Sequence, residues 1–392
     1  MSLNFQEVRE QIQKLGENAQ ARRSQLESIL ELARASLESL AGEIEFLRQK
    51  VGLVVRNYDP SIRCALPVTE ALDASYPAPE PPPQASILAA DGSQINLDRH
   101  AEVAYCLINV GAIQMATGST EQAKISVTSK LFYDEELYTI TDNSLALKRD
   151  LHERQILARM ADGAQAPVFT FTDGPMELWG GKETDGAAAT EYQESLEEYM
   201  SSLSELCRLG VATAGYVDKP AASPVVRLLE IAITPEDKLS GIKQHHPLRG
   251  ATDFVIYQRL LAPGERTAVF AIQSQSARSY KGDLALHFFY LNVGRKGKPW
   301  LARVEIPAWV ANKPTLLNGL HSVLVDQCRI LGTRPYPYLL HRAHETALVT
   351  FQDRDQVTQM IALELRRQGV PIPGESYKQA NKDLPGRTRY QL

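Results

Sequence analysis

The 392-residue sequence has only four cysteines, Cys64, Cys106, Cys207 and Cys328, and no two of them form a C-x-x-C pair. Their wide spacing argues against a zinc knuckle or a dithiol redox motif and reads as small buried apolar residues in a reducing compartment. Long apolar runs are missing as well. Nothing approaches the roughly 18 residues of a membrane-crossing helix, and the opening MSLNFQEVREQ carries charge rather than an apolar signal core. These absences predict a soluble, cytoplasmic protein. There is no excess of positive charge: the formal net charge is -5, so contact with nucleic acid would have to come from a local basic surface or a bound cation. Nor is there a G-x-x-x-x-G-K-[ST] loop, so the chain cannot itself drive ATP-dependent movement. What remains is ordinary globular material, 44% hydrophobic and 23% charged, sufficient for one large or two ordinary domains.

Residues 4 to about 53 contain no proline and repeat apolar side chains at alternating steps of three and four. The series runs Phe5, Val8, Ile12, Leu15, Ala19, then Leu26, Leu30, Ala33, Leu37, Leu40, Ile44, Leu47 and Val51, with one break at Arg22. This predicts a long heptad-patterned helix over 1–57. It fits a coiled-coil arm that dimerises or docks a partner, and equally a helix laid along its own domain. A Pro-rich linker is predicted over 58–85, ending in YPAPEPPPQ, which cannot continue a helix or a central strand. The body is predicted over 86–372, followed by a polar, basic tail over 373–392 with Lys378, Lys382, Arg387 and Arg389.

Within the body, SILAADGS (Ser86 to Ser93) reads as a buried strand ending at Asp91, with Gly92 letting the chain turn. Alone, Asp-Gly also fits a turn between two strands. The pattern recurs in VFTFTDG, Val168 to Gly174, where Asp173 closes a second apolar run. Further strands are predicted over 101–115, 125–132 and 211–217, with helices over 143–161 and 188–209. The region Thr252 to Gln275 and Asp283 to Val293 reads as strand-rich, and helices are predicted over 313–330 and 353–368. This order fits an α/β body on a mixed sheet flanked by helices.

In such a body Asp91 and Asp173 can sit at the ends of neighbouring strands, joined by a carboxylate from the intervening helix. Glu153, within RDLHERQIL, is the candidate, with Asp150 and Glu135 as competitors. Converging carboxylates without cysteine select a hard divalent ion, Mg²⁺ or Mn²⁺, and suit phosphodiester hydrolysis. A phosphatase or phosphotransferase is disfavoured, because no second Asp stands two residues after Asp91 or Asp173.

The strand-terminal DGS, a Glu in an R-x-x-x-E context (Arg149 to Glu153), a second strand-terminal Asp-Gly, and a late Y-P-Y with a His eight residues after its first Tyr resemble the NurA nuclease family. The resemblance covers roughly residues 86 to 350. It implies an RNase H-like core, a homodimer, and Mn²⁺-dependent 5′ to 3′ exonuclease and single-strand endonuclease activity on DNA. It also implies work beside a HerA-type hexameric ATPase in DNA end resection and repair. Carried over by position, it implies that Asp91, Glu153, Asp173 and His344 bind metal and that Tyr336 completes the catalytic set. Its eight-residue spacing favours His344 over His341. One departure is Pro175, which stands where the family commonly has Ser or Thr and removes a backbone donor. That departure motivates an alternative, a catalytically weakened protein of the same fold that bridges DNA or an ATPase partner. Lys219, the Arg295-Lys296-Lys298 turn and Arg342 are candidate phosphate contacts.

Overall fold

The structure, a computed structural model, describes residues 3–17, 19–98, 103–133, 137, 140–179 and 186–369. The basic tail and Glu135 therefore lie outside the described residues. Two compact units emerge, and their boundaries differ from those predicted. Met1–Glu80 associates with Tyr216–Val325, and Pro81–Gly215 associates with the chain from Asp326 onward.

In the first unit the described part of the heptad stretch is helical over α1 (Phe5–Glu17), α2 (Ala19–Ser39) and α3 (Ile44–Asn57), so the single helix predicted over 1–57 is interrupted before α3. Between α2 and α3 the chain turns at Leu40–Glu43, where Gly42 weakens helical continuation. The apolar seam accordingly has two fates. Its later half is core: Ala33, Leu37, Leu47, Val51 and Val54 pack in one cluster with Val225, Leu228, Phe270 and Phe288. Its first half is open, with Phe5, Ile12 and Leu15 each at least 60% exposed.

The predicted linker carries two strands, β1 (Cys64–Pro67) and β2 (Ser75–Tyr76). Ile62, Cys64, Ala65 and Leu72 are buried in the same core, which is why the chain here follows the unit and does not span open space. Glu70 accepts from Arg266 Nη1 and Nη2 at 3.1 and 3.0 Å, and the Arg266 guanidinium lies 4.1 Å from the Tyr76 ring centroid. The remaining strands of this unit are β8 (Arg266–Thr267), β9 (Phe270–Gln273), β10 (Leu286–Asn292) and β11 (Leu301–Pro307). They form an antiparallel array in the order β1-β9-β10-β11.

Asp253–Tyr257 is a short helix, α7, where continuous apolar residues predicted a strand. Thr252 caps it by accepting from Val255 N, a signal that outweighs the strand-like FVIY composition. Asp253 is buried and accepts from Val225 N and Val226 N at the start of helix α6 (Pro224–Ile233), at 2.9 and 2.7 Å, and from Tyr290 OH at 2.6 Å. Burial pushes its carboxyl up to about 6.

The second unit is built on β3 (Ala85–Ile95), β4 (Cys106–Thr117), β5 (Lys124–Phe132), β6 (Val168–Asp173) and β7 (Ala212–Val217). Their order is β5-β4-β3-β6-β7. β3, β4 and β5 are antiparallel neighbours, and β6 runs parallel to β3. Helix α4 (Asp142–Ala161) connects β5 to β6, and α5 (Ala187–Arg208) connects β6 to β7. Three antiparallel strands followed by two reached through helices is an RNase H-like mixed sheet, as expected. Helices α10 (Tyr338–Ala347) and α11 (Phe351–Arg367) complete the described part of the unit.

The first motif needs correction in detail. β3 does not end at Asp91 but continues through Gly92 and Ser93 to Ile95, so Gly92 makes no turn. Its role is close approach: a Cβ there would sit 2.5 Å from Arg149 Cγ and 2.8 Å from Glu153 Oε1, both on α4. Gly111, paired with Asp91 across β4, does the same for α10, since a Cβ would meet Ala347 N at 2.7 Å. Side chains alternate along a strand, so α4 and α10 cover opposite faces of this sheet. No helix among the described residues is long and apolar enough to cross a membrane, and no disulfide links the four cysteines.

Candidate metal and nuclease site

The parallel register Ala90↔Thr172 brings Asp91 and Asp173 to the same level on adjacent strands. Parallel partners share a face, so both carboxylates point toward the α10 side, about 4.8 Å apart at the backbone. Each meets one residue of the late motif. His344, in the last turn of α10, places Nδ1 2.6 Å from Asp91 Oδ2. A carboxylate can only accept, so in this contact Nδ1 carries the proton and Nε2 is left for another partner. The His344 side chain is 62% exposed, whereas that of Asp91 is 15% exposed. Tyr336, just before α10, donates its hydroxyl to Asp173 Oδ1 at 3.0 Å. The start of α10 is held by Gln327 in helix α9 (Pro314–Ile330), whose Oε1 accepts from Leu339 N at 3.0 Å.

Glu153 comes from the other face. It is buried on α4, and its Oε1 lies over Gly92, 3.6 Å from Arg149 Nε. Burial holds its carboxyl well above the usual range, and the neighbouring charges of Asp150 and Asp91 push the same way. Asp150, the sequence competitor, accepts from Arg149 Nη2 and Nε at 2.7 and 3.1 Å. Its carboxyl is raised as well, first by burial and then by Asp91 against the opposing pull of Arg149 and Arg154.

Two pairs of the predicted residues therefore meet, Asp91 with His344 and Asp173 with Tyr336, while Glu153 approaches the same stretch of β3 from behind Gly92. Among the described residues no three His, Cys, Asp or Glu side chains already converge on a single ion-sized point. The reason is geometric: each carboxylate is bonded to a different partner, and Glu153 stands on the opposite face. The donor chemistry nonetheless fits a hard divalent cation. As a formal count, the four carboxyl groups of Asp91, Asp150, Glu153 and Asp173 stand against the two guanidinium groups of Arg149 and Arg154, and no cysteine lies among these residues.

Sequence reading passed over one member of this neighbourhood. Arg154 is 1% exposed, donates to Thr213 Oγ1 and Thr172 Oγ1 at 2.8 Å each, and reaches Tyr199 OH at 3.3 Å. An arginine on a helix reads as solvated charge. Only the preceding Glu153, also buried, hinted that this turn of α4 faces inward.

The predicted phosphate contacts fall in both units. In the first unit Lys219 adopts φ 46° and holds Nζ 4.1 Å from the Trp300 ring centroid, while Trp300 Nε1 donates to Asp218. Arg295, Lys296 and Lys298 are exposed on a tight turn closed by Arg295 and Lys298. In the second unit Arg342 pairs with Glu345 at 2.5 Å.

Comparison with known proteins gives the family. The profile of the NurA domain matches residues 85–349, whereas no curated protein sequence matches significantly. Among solved structures, the NurA nuclease from Sulfolobus solfataricus aligns at 10% identity over 84% of this chain and 94% of its own, with a TM-score of 0.45. Endonuclease V from Ciona intestinalis, bound to DNA containing an inosine followed by a ribo-adenosine, aligns at 12% identity over 70% of this chain and 86% of its own, TM-score 0.29. The catalytic domain of human endonuclease V aligns at 11% identity over 81% and 96%, TM-score 0.30. At these scores the likeness is only a distant one of shape. The domain match spans well over half of the sequence and includes Asp91, Glu153, Asp173, Tyr336 and His344, and the chain accordingly belongs to the NurA-domain family.

Proposed function

We propose that the chain is a metal-dependent DNA nuclease, a phosphodiester hydrolase, whose cation is held by Asp91, Glu153, Asp173 and His344. The observation that carries this reading is the double pairing at one level of the sheet: His344 on Asp91 and Tyr336 on Asp173. Two adjacent strand carboxylates, each met by a proton-carrying group from a single helix entry, form a compact device for charge and proton handling at a phosphate. Mn²⁺ is the proposed ion and Mg²⁺ an acceptable substitute, since both take oxygen-rich, carboxylate-based sites.

When bound, the cation supplies positive charge to the phosphate oxygens and acidity to the attacking water. The chain's own residues do the rest. Asp91 and Asp173, fixed in register, set the spacing of the negative charge that holds the site together. His344, oriented through Nδ1 by Asp91, presents Nε2 outward, where it can hold or pass a proton at the leaving oxygen. Tyr336, whose hydroxyl donates to Asp173 here, would offer that hydroxyl to a phosphate oxygen of the bound DNA. Lys219, the Arg295-Lys296-Lys298 turn and Arg342 are proposed to draw the DNA backbone in.

Family membership supports the finer parts of the proposal: 5′ to 3′ exonuclease and single-strand endonuclease action, DNA end resection and repair, a homodimer, and a HerA-type hexameric ATPase as partner. The open apolar seam of α1 supports an arm available for such contacts. A second reading, a catalytically weakened protein that bridges DNA or an ATPase, is favoured by Pro175 alone. End-labelled linear and single-stranded DNA incubated with Mn²⁺, Mg²⁺ or chelator separates the two. Cleavage by the wild type that chelator and Asp91→Ala both abolish is expected. A protein that binds DNA or an ATPase yet never cuts would establish the second reading instead.

A further inference from the structure

Arg154 is a fully buried cation with an unusual set of partners. Its Nη1 donates to Thr213 Oγ1 on β7, its Nη2 donates to Thr172 Oγ1 on β6 and reaches Tyr199 OH on α5, and its Nε has no hydrogen-bond partner. Among the described residues no carboxylate lies within ion-pair distance of it. The hydroxyls continue the network. Thr170 Oγ1 donates to Thr213 Oγ1 at 2.7 Å, and Tyr199 OH donates to Met176 O at 2.9 Å. A buried charge whose hydrogen bonds all go to neutral hydroxyls, with Asp150 and Glu153 near enough to feel it but not paired with it, is costly, and apolar packing would fill the same volume more cheaply. Something other than packing accounts for it.

The partners single out one short stretch of chain. Thr172 immediately precedes Asp173, and Met176 follows Pro175, so the Arg154 fork and the Tyr199 hydroxyl grip the segment on both sides of Asp173-Gly174-Pro175. Gly215 closes the clamp, because a Cβ there would meet Gly174 O at 2.6 Å and Met176 N at 3.0 Å. Arg154 itself follows Glu153 on α4. One planar guanidinium thus ties the turn of α4 that carries Glu153 to the strand end that carries Asp173, from the face opposite His344 and Tyr336.

We infer that Arg154 is a positioning residue that fixes Asp173 relative to Glu153 through Thr172, and that its rigid fork, not its charge alone, is what the site requires. The inference rests on the proposed nuclease reading. It also explains how the segment keeps its place although Pro175 offers no backbone donor.

The test compares Thr172→Val, Thr172→Ser, Arg154→Lys and wild type, reading Mn²⁺ affinity by calorimetry, kcat and KM on single-stranded DNA, and thermal midpoint. Thr172→Val keeps the shape but removes the acceptor. It is expected to weaken Mn²⁺ binding and lower kcat by about tenfold each, with KM within about twofold. Thr172→Ser restores both, and Arg154→Lys, which keeps the charge but loses the fork, behaves like Thr172→Val. Mn²⁺ affinity and kcat at the wild-type level in Thr172→Val or Arg154→Lys overturn the inference, as does a loss confined to thermal midpoint or KM. A wild type that neither binds Mn²⁺ nor cuts DNA overturns the nuclease reading, and the inference with it.

Discussion

The imidazole of His344 and the carboxylate of Asp91 lie 253 residues apart in sequence and 2.6 Å apart in space. Two glycines make the meeting specific. Gly111 lets α10 settle on β4 at the level of Asp91, and Gly92 leaves the other side of β3 clear for Glu153. His344→Ala should therefore lower Mn²⁺-dependent cleavage by about a hundredfold or more while DNA binding is kept, because a proton-handling or ligating group is lost from an exposed position. Asp91→Ala should remove cleavage altogether. Single-turnover assays beside fluorescence binding to the same oligonucleotide check both, and a His344→Ala protein that cuts at the wild-type rate would remove His344 from the proposed set.

Gly111→Ala and Gly92→Ala should differ in kind. At Gly111 the new methyl meets helix backbone, Ala347 N at 2.7 Å and the Thr346 carbonyl carbon at 2.9 Å, so the helix itself must move. At Gly92 it meets the side-chain atoms Arg149 Cγ and Glu153 Oε1, which can shift. Overpacking of this sort costs about 1–3 kcal/mol, with Gly111→Ala at the upper end. Urea midpoints measure that cost. Cleavage should fall in both variants, in Gly111→Ala because His344 is carried off Asp91 and in Gly92→Ala because Glu153 is displaced.

Tyr336→Phe removes only the hydroxyl that donates to Asp173 at 3.0 Å. The bond is near the surface, so the thermal midpoint should change little, by an amount equivalent to less than about 1 kcal/mol. Cleavage should fall about tenfold if the hydroxyl contacts a phosphate, and the loss should be in kcat. Steady-state kinetics on a labelled single strand decides it.

Legibility in the sequence followed how local each signal was. β6 and Asp173 were readable because a buried parallel strand announces itself as an unbroken apolar run, VFTFT, stopped by a charge. Asp91 was readable as a residue but not as a place: the same Asp-Gly that forms turns elsewhere here continues a strand, because the glycine's partner is a helix more than fifty residues away. The heptad seam gave the burial of Leu47 and Val51 but not the turn at Gly42 or the exposure of Phe5, since periodicity is blind to which segment finds a core. Arg154 was hidden because an arginine bonded to three hydroxyls has no sequence signature. The division into units was hidden for a related reason: residues 58–80 look like a linker by composition, yet Cys64, Ala65 and Leu72 are core.

Two buried groups of the first unit should give stability an instructive pH dependence. His321 donates Nε2–H to Gly264 O at 2.8 Å, and burial lowers its pKa from the ordinary 6.5 to about 4. Above pH 6.5 it is neutral folded or unfolded. As pH falls from 6.5 toward 4 the unfolded chain takes up a proton that the fold refuses, so stability is lost on acidification, by up to about 3 kcal/mol. Asp253 acts in the opposite sense, its carboxyl raised from 3.8 to about 6 mainly by burial. As pH rises from 4 to 6 the unfolded chain releases a proton that the fold keeps, and stability falls by a similar amount, about 3 kcal/mol, before levelling above pH 6. Between pH 4 and 6 the two slopes oppose each other. His321→Gln, which retains a donor for Gly264 O, should remove the histidine slope and leave a protein whose urea midpoint drops as pH rises from 4 to 6. The difference between wild type and variant should therefore widen in favour of the wild type from pH 4 to 6.5 and stay constant above. A difference independent of pH across that window would mean that His321 is protonated equally in the folded and unfolded states, contrary to its burial against Gly264.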